Sequence, residues 1–300
     1  MGNNILITGG TGLIGKELMD LLMESGYNVA VLSRRKGIEG VKSFYWDYEA
    51  ELLDEDAIEF ADVIIHLAGE GIANKRWSAK QKQKILDSRV KTTNLLFSKS
   101  AKAKNKPRMI ISASAVGFYG VENSEKVFTE KDPAGNDFLA NTADAWEKSV
   151  KQFKSIGIQT VICRIGVVLS KKGGALPKMM MPVSFGLGAA LGSGKQYMPW
   201  IEISDLARMF IFVLENQKTD VIFNAVGPDQ ISNKKFMKTL ARTMNKPTFL
   251  PDVPSFVMKL FMGEMAILLL KGNRVSSEKI QATGFEFKYK TLEEVMKSSN

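Results

Sequence analysis

A glycine-rich turn beginning just after Thr8 constrains the fold of this chain more than any other segment. Gly10-Thr11-Gly12-Leu13-Ile14-Gly15 fits G-x-G-x-x-G, and Gly9 adds the spacing G-x-x-G-x-x-G. Small residues are needed where a strand turns sharply into a helix, where the backbone approaches a pyrophosphate, and where the helix packs closely on the strand. The flanks supply that context. Ile5-Leu6-Ile7 reads as a short buried strand, and Leu18, Leu21 and Leu22 mark a helix that follows. The first turn of such a helix offers free N–H groups and the positive end of its dipole to phosphate.

The rest of the N-terminal half repeats the alternation. Strands are expected at Asn28 to Leu32, Phe44 to Trp46, Asp62 to Gly69, Arg108 to Ala113 and Thr160 to Cys163. Helices are expected over Ser78 to Lys99 and Thr142 to Phe153. Continuous apolar strands separated by helices imply a parallel sheet covered on both faces, the doubly wound α/β Rossmann-type architecture. After Leu169 the pattern loosens. Residues 204 to 215 read as a helix and Val221 to Val226 as a strand, and the last 70 residues are mainly helical. We therefore expect a dinucleotide-binding domain over residues 1–170, with contributions from about 200–226. A smaller, mainly helical substrate lobe is expected over residues 171–300.

Composition removes several function classes. One cysteine, Cys163, excludes an intrachain disulfide framework, and one histidine, His66, excludes a His-rich zinc site. Cys163 is expected to be an inert core thiol and His66 a structural residue at a strand end; no metal site is expected. Lys and Arg exceed Asp and Glu by 41 to 32, a formal charge of +9 that suits an anionic partner such as a nucleotide cofactor. The charges are scattered, so no nucleic acid partner is expected. The longest apolar stretch, Phe256 to Leu270, is broken by Lys259, Gly263 and Glu264. It is too short to span a bilayer and reads as a buried or interface helix. The expectation is a cytoplasmic protein with a small-molecule substrate and no membrane partner, and with a homodimer as one possible assembly.

Several motifs carry a resemblance to a known family. Thr8 to Gly15 resembles the glycine loop of extended short-chain dehydrogenase/reductases, and His66-Leu67-Ala68-Gly69 resembles their fourth-strand motif. Ser112-Ala113-Ser114 with Tyr119-Gly120 resembles their catalytic-serine strand. Glu70, Arg76-Trp77, Ser88-Arg89, Pro199-Trp200-Ile201 and Gly272-Asn273-Arg274-Val275 are similar to one atypical branch. That branch is the epimerase family, or sugar-nucleotide epimerase-like proteins, with a short C-terminal domain of unknown function. The resemblance covers nearly the whole chain. It implies an NADP(H)-binding Rossmann fold, with cofactor contacts from Gly9, Gly10, Thr11, Gly12, Leu13, Ile14, Gly15, Ser33, Arg34, Leu67, Ala68, Gly69, Arg89 and Arg164.

One part of the superfamily pattern is missing. Its members use a Tyr-x-x-x-Lys pair, in which the lysine lowers the tyrosine pKa for proton exchange with substrate. Counted back from Glu147, those positions hold Leu139 and Ala143. Ser114 and Tyr119 are the remaining catalytic candidates, and Gln196, Tyr197 and Trp200 are candidate substrate contacts. The second strand is followed by Ser33-Arg34-Arg35, with no carboxylate before Glu39. Arginine there accommodates the 2′-phosphate of NADP, whereas an acidic residue would select NAD. Two functions follow. One is an NADP-dependent oxidoreductase or epimerase acting on a small carbonyl or sugar-derived substrate. The other is a non-catalytic NADP(H)-binding protein that senses redox state or binds a protein partner.

Overall fold

The computed structural model describes residues 3–35, 37–121, 125–216 and 219–298. The glycine loop connects β1 (Asn4–Thr8) to α1 (Leu13–Glu24). Gly15, Leu18, Met19 and Leu22 form the buried stripe of α1, at the three- and four-residue spacing that puts side chains on one helix face. Five strands follow in chain order: β2 (Asn28–Ser33), β3 (Lys42–Asp47), β4 (Leu52–Leu53), β5 (Val63–His66) and β6 (Met109–Ala115). Interleaved with them are α2 (Glu55–Phe60) and α3 (Ala79–Lys102). The Ser78 hydroxyl caps α3 by accepting the Gln81 N–H.

A short pairing strand β7 (Val127–Phe128) precedes α4 (Phe138–Lys151), β8 (Gln159–Ile165), β9 (Val167–Ser170) and β10 (Gly173–Gly174). The C-terminal half adds α5 (Ala175–Ser184), β11 (Trp200–Glu202), α6 (Ile203–Asn216), β12 (Val221–Ala225) and α7 (Asn233–Thr243). It ends with α8 (Ser255–Met262), α9 (Ile267–Leu270), β13 (Arg274–Val275), α10 (Glu278–Gln281) and α11 (Leu292–Lys297).

The main sheet has the order β12-β8-β6-β5-β1-β2-β3-β4. All its neighbours are parallel except the β3–β4 pair. Chain direction across the sheet reverses between β1 and β5, and ligands bind at the carboxyl ends of strands beside such a switch point. Register aligns the site residues. Thr8 pairs with His66 and His66 with Ser112, while Ser114, Arg164 and Asn224 form one row across β6, β8 and β12. The expected strands are present, each within a few residues of its expected ends. Two small sheets, β10-β9-β11 and β13-β7, have no counterpart in the sequence reading. Their strands are two to four residues long, which leaves no alternation to detect.

The main core lies on the two faces of the large sheet. A second apolar cluster joins Leu169, Leu176, Trp200, Phe236 and Leu240 to Leu292 and Val295 of α11. Among the described residues no helix is long and apolar enough to cross a membrane. The stretch from Phe256 to Leu270 is neither one helix nor a buried one. It divides into α8, a single 3-10 turn and α9, and α8 has no buried residue. The interruptions at Lys259, Gly263 and Glu264 prevent a continuous apolar face. Gly263, in a left-handed conformation, ends α8.

Candidate cofactor groove and the sealed cluster beside it

At the switch point, Gly9 adopts φ +71°, where a side chain would be strained. A Cβ there would also lie 3.0 Å from the backbone of Leu67. This close approach brings the loop against Leu67 and Ala68 at the end of β5. A Cβ on Gly10 would press on Val31 of β2, at 2.6 Å, and one on Gly15 would meet the Gly9 carbonyl. Gly12 is different. Beyond its chain neighbours, a Cβ there meets only the Gly9 carbonyl oxygen, at 3.2 Å. Gly12 and Thr11 are exposed. Gly12 is the N-cap of α1, no side chain caps the helix, and no carboxylate stands in its first turn. The first N–H groups of α1 therefore face an open cradle, a site suited to phosphate.

The floor of the groove is a neutral hydrogen-bond chain. The Thr8 hydroxyl oxygen accepts the N–H groups of Leu67 and Ala68, each at 3.1 Å. Its proton must then go to His66 Nδ1, 2.7 Å away. The ring consequently carries its own proton on Nε2, which donates to Thr93 Oγ1 at 3.0 Å. Thr93 passes its proton to the Arg89 carbonyl. Burial, with the Arg89 charge nearby, pushes His66 down to about 3, so the ring is neutral at physiological pH. Its role is to lock the ends of β1 and β5 together, as the strand-end position suggests.

The Arg89 guanidinium donates to the carbonyls of Glu70 and Ile85 and lies 5.2 Å over the Trp146 ring. Burial lowers its pKa to about 10, and it has no carboxylate ion-pair partner among the described residues. A Cβ on exposed Gly69 would sit 3.1 Å from its Cζ, which puts the charge directly beneath that turn. At the end of β2 the Ser33 hydroxyl accepts the Arg35 N–H at 3.0 Å. Arg34 is exposed. The structure thus brings together Gly9 to Gly15, Leu67 to Gly69 and Arg89, with Ser33 and Arg34 at the carboxyl end of the neighbouring strand.

Arg164 is placed elsewhere. It is 2% exposed and clasps Glu147, which is fully buried, through Nε at 2.7 Å and Nη2 at 2.9 Å. Its guanidinium stacks 3.4 Å over the Phe118 ring. Its Nη1 donates to the Tyr119 hydroxyl at 3.0 Å, and that hydroxyl donates to Asn224 Oδ1 at 2.6 Å. Asn224 donates in turn to the Ser276 carbonyl. The geometry corrects two sequence expectations. Arg164 neutralises a buried carboxylate rather than facing the groove. Tyr119 is 2% exposed with its hydroxyl held on both sides, and burial pushes its pKa up to about 12 against the pull of Arg164. Ser114, also buried, donates to Glu147 Oε1 at 2.9 Å and can only accept from any further partner. Leu139 and Ala143 on α4 add no polar group.

Gln196 and Trp200 are likewise structural. The Gln196 amide ties the loop at Leu191 to α9 by donating to the carbonyls of Leu191 and Leu269, and Trp200 is 1% exposed in the second core. Of the three expected substrate contacts only Tyr197 is partly open. It lies under the Arg274 guanidinium at 5.1 Å, and Arg274 donates to Gln230 at 2.7 Å. Cys163 is buried, and burial alone pushes its thiol up to about 12, as expected for an inert core residue. Glu147 and Asn224 escaped the sequence reading as functional groups. Both left a signal. Glu147 falls within the apolar stripe of Ala143, Trp146 and Val150, and Asn224 interrupts the run Val221-Ile222-Phe223. A charge in such a stripe requires a buried partner.

Residues 5–227 match the NAD dependent epimerase/dehydratase family, and residues 253–298 match a domain of unknown function, DUF1731. The chain belongs to the NAD dependent epimerase/dehydratase family. Among its relatives, the epimerase family protein YfhF of Bacillus subtilis (strain 168) is 40% identical over 293 residues, 97% of this chain and 95% of the relative. The crystal structure of the human epimerase family protein SDR39U1 (isoform 2), solved with NADPH, superposes with a TM-score of 0.86 at 31% identity. That match covers 98% of both chains. A nucleoside-diphosphate sugar epimerase from Corynebacterium glutamicum superposes at 0.80 with 29% identity, covering 99% of this chain and 57% of that one. Family membership fits the open, phosphate-shaped half of the groove, and the described fold is the family's Rossmann-type sheet.

Proposed function

We propose that this protein binds NADP(H) across the carboxyl ends of β1, β2 and β5 and acts as an epimerase-like oxidoreductase on a small carbonyl or sugar-derived substrate. The observation that carries this reading is the pairing of the open Gly12 cradle with Ser33-Arg34 at the end of β2. The cradle would take the pyrophosphate on the N–H groups of α1. The planar fork of Arg34 suits the 2′-phosphate, because it can give two charge-assisted hydrogen bonds. The human relative solved with NADPH supports the choice of cofactor. When bound, the nicotinamide supplies or accepts the hydride.

The chain's own groups would bind and orient. Arg89 places positive charge under the Gly69 turn, and Ser114 offers a lone pair at the end of β6. Proton transfer would proceed without a Tyr-Lys relay, so turnover is expected to be slow. A second reading, a non-catalytic NADP(H)-binding sensor, is favoured by the engagement of the Tyr119 hydroxyl with Asn224 and Arg164.

The test is side-by-side titration of NADPH and NADH against the wild type and Arg34→Asp. Each charge-assisted bond contributes roughly 1.5–3 kcal/mol, so the wild type should prefer NADPH by ~10- to 100-fold, and the variant should lose or invert that preference. Equal wild-type affinities would refute the reading of Arg34.

A further inference from the structure

Among the described residues, large exposed apolar side chains are concentrated in one place. Seven of nine belong to two segments, residues 181–187 and 249–261. Their exposure runs from 57% at Leu187 to 77% at Phe249. The segments are stitched into one face. Val253 exchanges backbone hydrogen bonds with Ala190 and Gly192, and Leu191 bridges to Val253. Gly186 approaches Pro247, and Gly192 packs against Leu270 and Ser255. Monomeric proteins rarely leave so much clustered apolar surface uncovered without a partner for it.

Charge identifies the partner. Lys178, Lys246, Lys259 and Lys271 are exposed around this face, and none makes an ion pair with a described residue. The acidic groups nearby are neutralised: Asp252 pairs with Lys234, and Glu264 with Lys82. Lys259 shares one face of α8 with Phe256 and Leu260, three residues before it and one after. Aromatic and aliphatic side chains interleaved with unpaired lysines match a surface that is anionic above and apolar below. A second copy of the chain fits poorly. A two-fold contact centred on α8 would bring like ammonium groups together.

We propose that this face docks peripherally on an anionic lipid bilayer, inserting Phe256, Leu260 and Phe261 at the headgroup level. This revises the expectation of no membrane partner; the contact is interfacial, not spanning. It also places the groove close to the bilayer. Leu260 gives its carbonyl to Arg76, and Glu264 holds Lys82 at the start of α3, both beside the turn that follows β5. The proposal stands independently of the cofactor reading.

The test is co-sedimentation of the full chain with vesicles of phosphatidylcholine alone or mixed with phosphatidylglycerol. Two variants accompany it: Phe256→Ser/Leu260→Ser/Phe261→Ser, and Lys246→Gln/Lys259→Gln/Lys271→Gln. All six positions are exposed, so both variants should keep the wild-type circular dichroism and melting temperature. Expected is binding to the anionic vesicles only, weakened at least ~10-fold by the serine variant. Each lysine removed should cost about five-fold. Failure of the wild type to bind anionic vesicles would overturn the proposal. So would a serine variant that binds as well as wild type, or light scattering that shows a dimer dissociated by the serine substitutions.

Discussion

The carboxyl edge of the large sheet has two halves that handle polar groups in opposite ways. Around β1, β2 and β5 donors and positive charge are left uncompensated: the first turn of α1 is uncapped, Arg34 is exposed, and Arg89 bonds only backbone carbonyls. Around β6, β8 and β12 the polar groups consume one another. Ser114 and Arg164 are spent on Glu147, and Tyr119 on Arg164 and Asn224. The first half is built to receive an anionic ligand. The second pairs its polar groups internally, although Ser114 stands where the superfamily resemblance puts the catalytic serine. A family motif can thus keep its position in the sheet while its side chains also hold buried partners together.

The largest expected effect comes from breaking the sealed half. Glu147→Ala would leave the Arg164 guanidinium buried without its carboxylate. Removing one partner of a buried ion pair costs about 3–5 kcal/mol. Urea unfolding should show a loss of that size, and a variant within about 1 kcal/mol of wild type would mean that the pair is solvated and the half not sealed. Lys151, whose Nζ lies 3.6 Å from Glu147 Oε2, is the control. It is exposed, and Lys151→Ala should change stability by only a few tenths of a kcal/mol.

A smaller effect tests the neutral floor of the open half. His66 has a folded pKa lowered to about 3, against an ordinary 6.5 in the unfolded chain. The unfolded state therefore takes up a proton that the native state refuses. Stability is full above about pH 6.5 and falls as pH drops towards 3. His66 is the chain's only histidine, so the change between about pH 7.5 and 5.5 belongs to it, apart from the chain terminus. The loss should be roughly 1.4 kcal/mol, and it should vanish in His66→Gln. A flat profile in the wild type would show that the imidazole is protonated or exposed.

Much of this was legible in the sequence, and for physical reasons. The glycine loop, the buried strands and the long helix from about Ser78 are local patterns, and each appears within a few residues of where the spacing puts it. The reading failed where the deciding contact is long-range. Arg164 looks like a cofactor residue until β8 sets it beside Ser114, across from a glutamate on α4. Trp200 and Gln196 look like pocket residues until β11 and the loop around Leu191 bury them. The stretch from Phe256 to Leu270 reads as one buried or interface helix. Only its division into α8, a 3-10 turn and α9 shows that Phe256, Leu260 and Phe261 face outward while Met265 and Ala266 stay buried.

The comparison turns on whether the open half is a cofactor cradle, and Gly12 tests that most directly. Calorimetric titration of the wild type and Gly12→Val with NADPH should be run beside thermal unfolding of both proteins. The Gly12 side of the loop is empty of protein beyond the Gly9 carbonyl, so the added side chain would occupy the space that the pyrophosphate needs. Expected is clear binding by the wild type and a loss of at least ~100-fold in the variant, about 2.7 kcal/mol, with little change in melting temperature. Equal NADPH affinity in the two proteins would contradict the assignment of the groove.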